Sequence, residues 1–245
     1  MGRQLAFIYG VLSYVLFFVV FLYAIGFVGD IVVPKTINSG ADMTANWPMA
    51  VIINLILLTV FALQHSIMAR PGFKKWWTKF IPWSIERSTY VLLSSLALIL
   101  IYHFWQPLQG VIWHIDNTLG ANILIALFWL GWLIVLASTF MISHFELFGL
   151  KQVYMNLKQK QLLPPEFKMP MLYKFVRHPI MLGFIIAFWA TPHMTAGHLL
   201  FAAVTTAYIL VALQFEEQDL IRMFGERYRE YRKKVPMVFP FTKFK

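Results

Sequence analysis

The chain contains no cysteine, which excludes disulfides, thiolate metal sites and cysteine nucleophiles. Charge is also scarce. Only 13% of the 245 residues are Asp, Glu, Lys or Arg, about half the share of an ordinary soluble domain. Between residues 179 and 215 there is none. Phosphate-cradling glycine motifs are absent: neither G-x-G-x-x-G nor G-x-x-x-x-G-K-[ST] occurs, so a nucleotide-like ligand must be held by helix ends and loop segments. The 7 histidines are scattered, with no H-E-x-x-H pair among them. No metal site is expected.

What the chain does have is apolar length. It is 59% hydrophobic, an excess that points to lipid rather than to a larger core. The first apolar run, residues 5–28, would extend roughly 36 Å as a helix, enough to cross a hydrocarbon core of about 30 Å with some tilt. It is read as a span and not a signal peptide, because it is long and no small-residue cleavage pattern follows. Further spans are expected at 47–68, 88–105 and 121–143. Residues 179–190 are too few to cross, and 198–215 suffice. Thr191-Pro192-His193 and Gly197 lie between these two segments as a turn would, so the pair reads as a helical hairpin with a short first arm. The expected fold is all-α and polytopic, with about six membrane helices in a single domain. Residues 1–143 carry four of them; residues 144–245 carry a loop, the hairpin and an amphipathic C-terminal helix.

The net charge of +10 then finds a place. In the six-span arrangement every Lys and Arg except Lys35 falls on one side. The positive-inside rule makes that side cytoplasmic, with both termini inside. The basic excess sets orientation and attracts anionic lipid headgroups; nucleic acid is not an expected partner. Localisation in a bacterial inner membrane is expected. The loop 144–174 carries Pro164-Pro165 and Pro170 and should be extended in its second half. After Glu217, the residues Leu220, Phe224, Tyr228 and Tyr231 fall on one face of an amphipathic helix that Gly225 weakens.

A hairpin returns its second end to the side where its first began. It would set Arg177 and His178 beside Glu216 and Glu217 at the cytoplasmic face. Ionisable groups gathered at a membrane boundary are a site by default. Pro179 suits the first turn of a helix, placing Arg177 and His178 at a helix N-terminus whose free N–H groups favour anions. Acidic and basic groups together suit a zwitterion.

The string Arg177-His178-Pro179-x-x-x-Gly183, followed by Glu216-Glu217-x-x-Leu220, Phe224-Gly225-x-x-Tyr228-x-x-Tyr231 and Val235-Pro236, resembles the C-terminal signature of membrane methyltransferases. These include the isoprenylcysteine carboxyl methyltransferases and phospholipid N-methyltransferases. Gln64-His65-Ser66, Glu86-Arg87-Ser88, Trp105-Gln106-Pro107 and Phe145-Glu146-Leu147-Phe148-Gly149 look like one branch, the bacterial methanethiol S-methyltransferases and related membrane proteins linked to nitric oxide reduction. The resemblance implies S-adenosylmethionine as methyl donor, lined by His178, Pro179, Leu182, Gly183, Glu216, Glu217 and Tyr228, with Arg177 near its carboxylate. It implies catalytic roles for Glu217, Arg177 and His178. A thiol acceptor reacts as its thiolate, so a base is useful; Glu217 and His178 are the candidate bases, with Tyr228 or His144 to orient them.

Two departures narrow the acceptor. The family pattern has Tyr two residues after the Pro, where this chain has Met181. Prenylcysteine enzymes carry an Arg before the glutamates; residues 205–215 contain no Arg or Lys. An acceptor carboxylate there would be buried without a partner, which is costly. A small apolar thiol, methanethiol, fits, and its product is dimethyl sulfide. The alternatives are methylation of a lipid amine or prenylcysteine, and a non-catalytic membrane factor linked to nitrogen-oxide respiration.

Overall fold

A computed structural model of the chain describes residues 2–39, 46–164, 166–240 and 242. Pro165, Lys243, Lys245 and residues 40–45 lie outside them. Ten helices and two short strands occur among the described residues: α1 (Arg3–Gly29), α2 (Trp47–Ala69), α3 (Pro71–Trp77), α4 (Trp83–Phe104), β1 (Val111–His114), α5 (Thr118–Ile142), α6 (His144–Leu147), α7 (Leu150–Leu157), α8 (Pro179–Trp189), β2 (His193–Thr195), α9 (Ala196–Phe224) and α10 (Glu226–Lys234). The 3₁₀ turn Met171–Lys174 precedes α8.

Helices α1, α2, α4, α5 and α9 are long and apolar enough to cross a membrane. Their outward faces carry exposed apolar side chains, such as Leu12 and Val19 on α1 and Leu133 and Ile142 on α5. Water would penalise such surfaces, and lipid does not. The protein is an all-α polytopic membrane protein. The first arm of the hairpin is α8, whose 11 residues reach about 16 Å, half a hydrocarbon core. It is regular α-helix throughout, as short as expected and without a 3₁₀ portion.

The chain divides into two compact units. The first comprises Met1–Gly110, Phe145–Leu163 and Thr195–His198. In it, a Cβ on Gly10 of α1 would meet Val153 of α7 at 2.5 Å, so glycine is what lets these two helices approach. Asn54, buried in α2, grips both the N–H and the C=O of Gln106, satisfying two backbone groups just past the end of α4.

The second unit comprises Val111–His144, Pro164–Met194 and Leu199–Lys245. Asn117 caps α5 by accepting from Leu119 and Gly120 N–H, as an N-cap side chain should. Helices α5 and α8 meet backbone to backbone. A Cβ on Gly183 would lie 2.6 Å from the Gly131 carbonyl oxygen. Around that contact Trp132 makes edge-on contacts with Phe184 and Phe188. Ile185, Ile209, Leu213 and Val238 form a core that joins α8, α9 and the C-terminal segment.

Three expectations are corrected. The final apolar helix does not end at residue 215 but runs unbroken to Phe224, so Glu216 and Glu217 lie within it. The amphipathic helix after Glu217 is two helices: Leu220 and Phe224 belong to α9, and Tyr228 and Tyr231 to α10. Gly225 separates them at φ 60° and ψ −132°, a conformation that side chains other than hydrogen resist. The segment around residues 191–197 is not only a turn, since β2 pairs there with β1.

Candidate active site

Glu217 sits at the centre of the site, in the second unit, with 2% of its side chain exposed. A carboxylate this deep needs compensating charge and hydrogen bonds. It has both. On Oε1 it accepts from Arg177 Nε at 2.5 Å, His178 Nε2 at 3.2 Å and Tyr228 OH at 3.3 Å. On Oε2, Arg232 Nε lies 3.1 Å away. Because the carboxylate only accepts, His178 carries its hydrogen on Nε2.

The elements that deliver these groups follow from local sequence. His178 is the N-cap of α8 and Pro179 its first helical residue, and from this turn Arg177 and His178 both reach Glu217 of α9. Glu217 lies about two helical turns before the end of α9 at Phe224, and α10 begins just after Gly225. Tyr228 and Tyr231 of α10 are buried. Tyr231 donates to the Tyr173 carbonyl at 2.5 Å. Burial and the nearby Glu217 carboxylate push the Tyr228 phenol above its ordinary range, while burial and Glu216 do the same to Tyr173. Both stay protonated donors.

Behind α10 the chain forms a strap. The N–H of Arg177 donates to the Pro236 carbonyl at 2.9 Å, and that of His178 to Met237 at 3.0 Å. Arg177 Nη1 also donates to the Val235 carbonyl. Of the N–H groups expected to be open to an anion there, those of Arg177 and His178 are taken by the chain's own carbonyl groups.

The structure thus brings together Arg177, His178, Glu217 and Tyr228. Pro179 is buried beside them. Leu182 packs into the apolar core with Leu213 and Val238, and Gly183 faces α5, so both serve helix packing. Glu216 is half-buried and makes no hydrogen bond or ion pair with any described residue. Its field nevertheless acts on Tyr173 and Tyr228. An open cavity of about 510 Å³ lies next to Tyr228, lined by Glu166, Phe167, Met223, Phe224 and Arg227. Phe167 stands 5.5 Å from Phe224 and 6.0 Å from Tyr228, ring centre to ring centre. Sequence reasoning missed Arg232, which is indistinguishable from its neighbours in a basic run. It also missed Tyr173 and the strap, whose contacts are made by backbone. No group of three or more His, Asp or Glu suited to a metal occurs among the described residues.

Residues 53–232 match the family described as NnrU protein. The chain belongs to the NnrU protein family. Relatives of this NnrU-family chain include Methanethiol S-methyltransferase of Mycobacterium tuberculosis, 59% identical over 98% of both chains. Methanethiol S-methyltransferase 1 of Bradyrhizobium diazoefficiens is 56% identical over 98% of this chain and 84% of its own. Nurim of Rattus norvegicus is 30% identical over 68% of this chain and 66% of its own. No solved structure matches.

Proposed function

We propose that the chain is a membrane methyltransferase that methylates methanethiol to dimethyl sulfide with S-adenosylmethionine as donor. Near full-length similarity to relatives named Methanethiol S-methyltransferase carries this reading. The carboxylate–guanidinium cluster beside Glu216, which pairs with no other described residue, supports it.

The residues fit the donor in chemical kind. Its sulfonium and ammonium groups suit the Glu216 carboxylate, and its adenine suits the aromatic walls Phe167 and Phe224 of the cavity beside Tyr228. His178, Pro179, Leu182, Gly183, Glu217 and Tyr228 would frame the bound donor, directly or through the helices they fix. When bound, the donor supplies an electrophilic methyl group. The protein's contribution is orientation and exclusion of water. Glu217 is saturated by two guanidinium groups, an imidazole and a phenol. Its role is to hold Arg177, His178 and Tyr228 in place, and not to take up a proton. Apolar walls suit an acceptor that partitions into lipid.

In this reading α8 and α9 form the hairpin of a six-segment arrangement in a bacterial inner membrane. Both termini and the Glu217 cluster face the cytoplasm, where the donor is made. Residues 144–245 supply the donor site, and residues 1–143 the four preceding helices.

Membranes containing the chain, given methyl-labelled S-adenosylmethionine with methanethiol, farnesylcysteine or phosphatidylethanolamine, provide the test. Volatile labelled dimethyl sulfide from methanethiol alone is the expected result. Label in the lipid or the farnesylcysteine, or no transfer to any acceptor, would refute it.

A further inference from the structure

Two histidines that stand 79 residues apart in the chain meet in the second unit. His114 ends β1, and His193 begins β2. The two strands pair with each other, and the backbone around both residues is tied down. Ile115 N–H donates to the Pro192 carbonyl at 2.9 Å, and Trp113 Nε1–H to the Thr191 carbonyl at 3.0 Å. The Thr191 hydroxyl donates to the His193 carbonyl at 3.0 Å and accepts from the His193 N–H at 3.3 Å. Solvent reaches the pair: the His114 side chain is 54% exposed, and His193 is half-buried. The methyl-transfer reading gives neither residue a role.

The ring nitrogens are arranged as if for a shared partner. Nδ1 of His114 lies 3.0 Å from Nδ1 of His193, with ring centres 5.2 Å apart and planes at 73°. On the other side of its ring, His114 Nε2 is 3.2 Å from the Asp116 carboxylate. A carboxylate only accepts, so Nε2 carries the hydrogen, and Nδ1 of the neutral ring presents its lone pair. His193 then donates from its own Nδ1.

A metal ion can take the place of that shared hydrogen. Zinc binds imidazole nitrogen at about 2.0–2.1 Å. Two such bonds at a right or tetrahedral angle set their nitrogens about 2.9–3.4 Å apart. The observed 3.0 Å falls inside that range. The Asp116–His114 contact is the outer half of a carboxylate–histidine–metal arrangement, in which the carboxylate fixes the tautomer and makes the ligating nitrogen more basic. No group of three or more ligating side chains forms among the described residues, so water would complete the coordination.

We propose that His114 and His193 form a two-histidine site for a divalent transition-metal ion of the zinc or copper kind, with Asp116 orienting His114. Each ring turns about its Cβ–Cγ bond until the two Nδ1 lone pairs converge on the ion. The His193 hydrogen moves from Nδ1 to Nε2 through solvent, so both rings stay neutral and no net proton is released. Positions open to water make the ion exchangeable rather than structural. Bound there, it ties the segment before α5 to the segment after α8, at the opposite end of α8 from His178. The site is independent of the methyl-transfer reading.

The test uses the full-length chain without a histidine tag, stripped of metal and placed in lipid nanodiscs. Zinc is titrated by calorimetry. Copper(II) is followed by electron paramagnetic resonance, whose nitrogen couplings count the ligating imidazoles. The unmodified chain should bind one zinc ion and show coupling to two nitrogens. His114→Gln and His193→Gln should each lower zinc affinity about a hundredfold or more and leave one coupled nitrogen. Asp116→Asn, which acts only through His114, should lower affinity about tenfold with both couplings kept. At His103, exposed in the first unit, His103→Gln should change nothing. No saturable binding, a copper signal with fewer than two nitrogens, or affinity that survives the loss of either histidine of the pair overturns the proposal. If a variant fails to fold, the copper spectrum of the unmodified chain decides alone.

Discussion

At the scale of single residues, the site is a buried carboxylate shared by two arginines. Glu217→Gln keeps the shape and removes the charge, leaving Arg177, whose side chain is 8% exposed, without its counter-ion. Breaking a buried pair this way costs about 3–5 kcal/mol. Methyl transfer should drop by at least about a hundredfold while membrane insertion persists, read from activity per unit of extracted protein; near-normal turnover would remove Glu217 from the machinery. Arg232→Ala should be milder, because Arg232 is 43% exposed and an exposed partner contributes about 0–1 kcal/mol. Tyr228 sets a pH limit. Its folded pKa is raised above the value of about 10 for a free phenol, by burial first and the Glu217 carboxylate next. The protonated phenol therefore contributes stability that is complete below pH 10 and is lost as pH rises above it. Thermal unfolding should be flat from pH 7 to about 9.5 and fall beyond 10, with a shallower fall in Tyr228→Phe. The pairing of Arg177 and His178 with Glu217 was legible in the sequence because their positions at the two ends of one hairpin carried it. Arg232 was not, because a cation within a basic run looks the same whether it binds lipid or a carboxylate.

Elements show a similar division. Helix α8 could be recognised as short because Thr191-Pro192 breaks an otherwise uniform apolar run. The extension of α9 past Glu217 could not, because charged residues enter a helix interior as readily as a membrane boundary. Strands β1 and β2, of 4 and 3 residues, are too brief for alternation to register. Two glycines predict losses of similar size from different causes. Gly183→Ala would drive a methyl group into the Gly131 carbonyl and Val135. Neither backbone can yield cheaply, so a loss of about 1–3 kcal/mol is expected, measured as a lower unfolding temperature in detergent. Gly225→Ala meets no atom within 4 Å, yet its positive φ strains any side chain. It should cost about 1–3 kcal/mol, concentrated in α10, and should appear as faster amide exchange at Tyr228 and Tyr231. Equal exchange in the two proteins would show that the bend does not depend on glycine.

At the scale of the whole molecule, the absence of cysteine makes orientation directly measurable. Lys35→Cys should react with a membrane-impermeant maleimide in intact cells, and Lys158→Cys only after lysis; the reverse pattern would invert the proposed topology. The strap has a subtler consequence. The Pro236 and Met237 carbonyls occupy the N–H groups of Arg177 and His178, just before α8, which would otherwise be open to a carboxylate or phosphate. The protein thus carries its own tethered competitor at that position. An anion that used those two N–H groups would first have to displace the strap, so its affinity would carry the cost of undocking it.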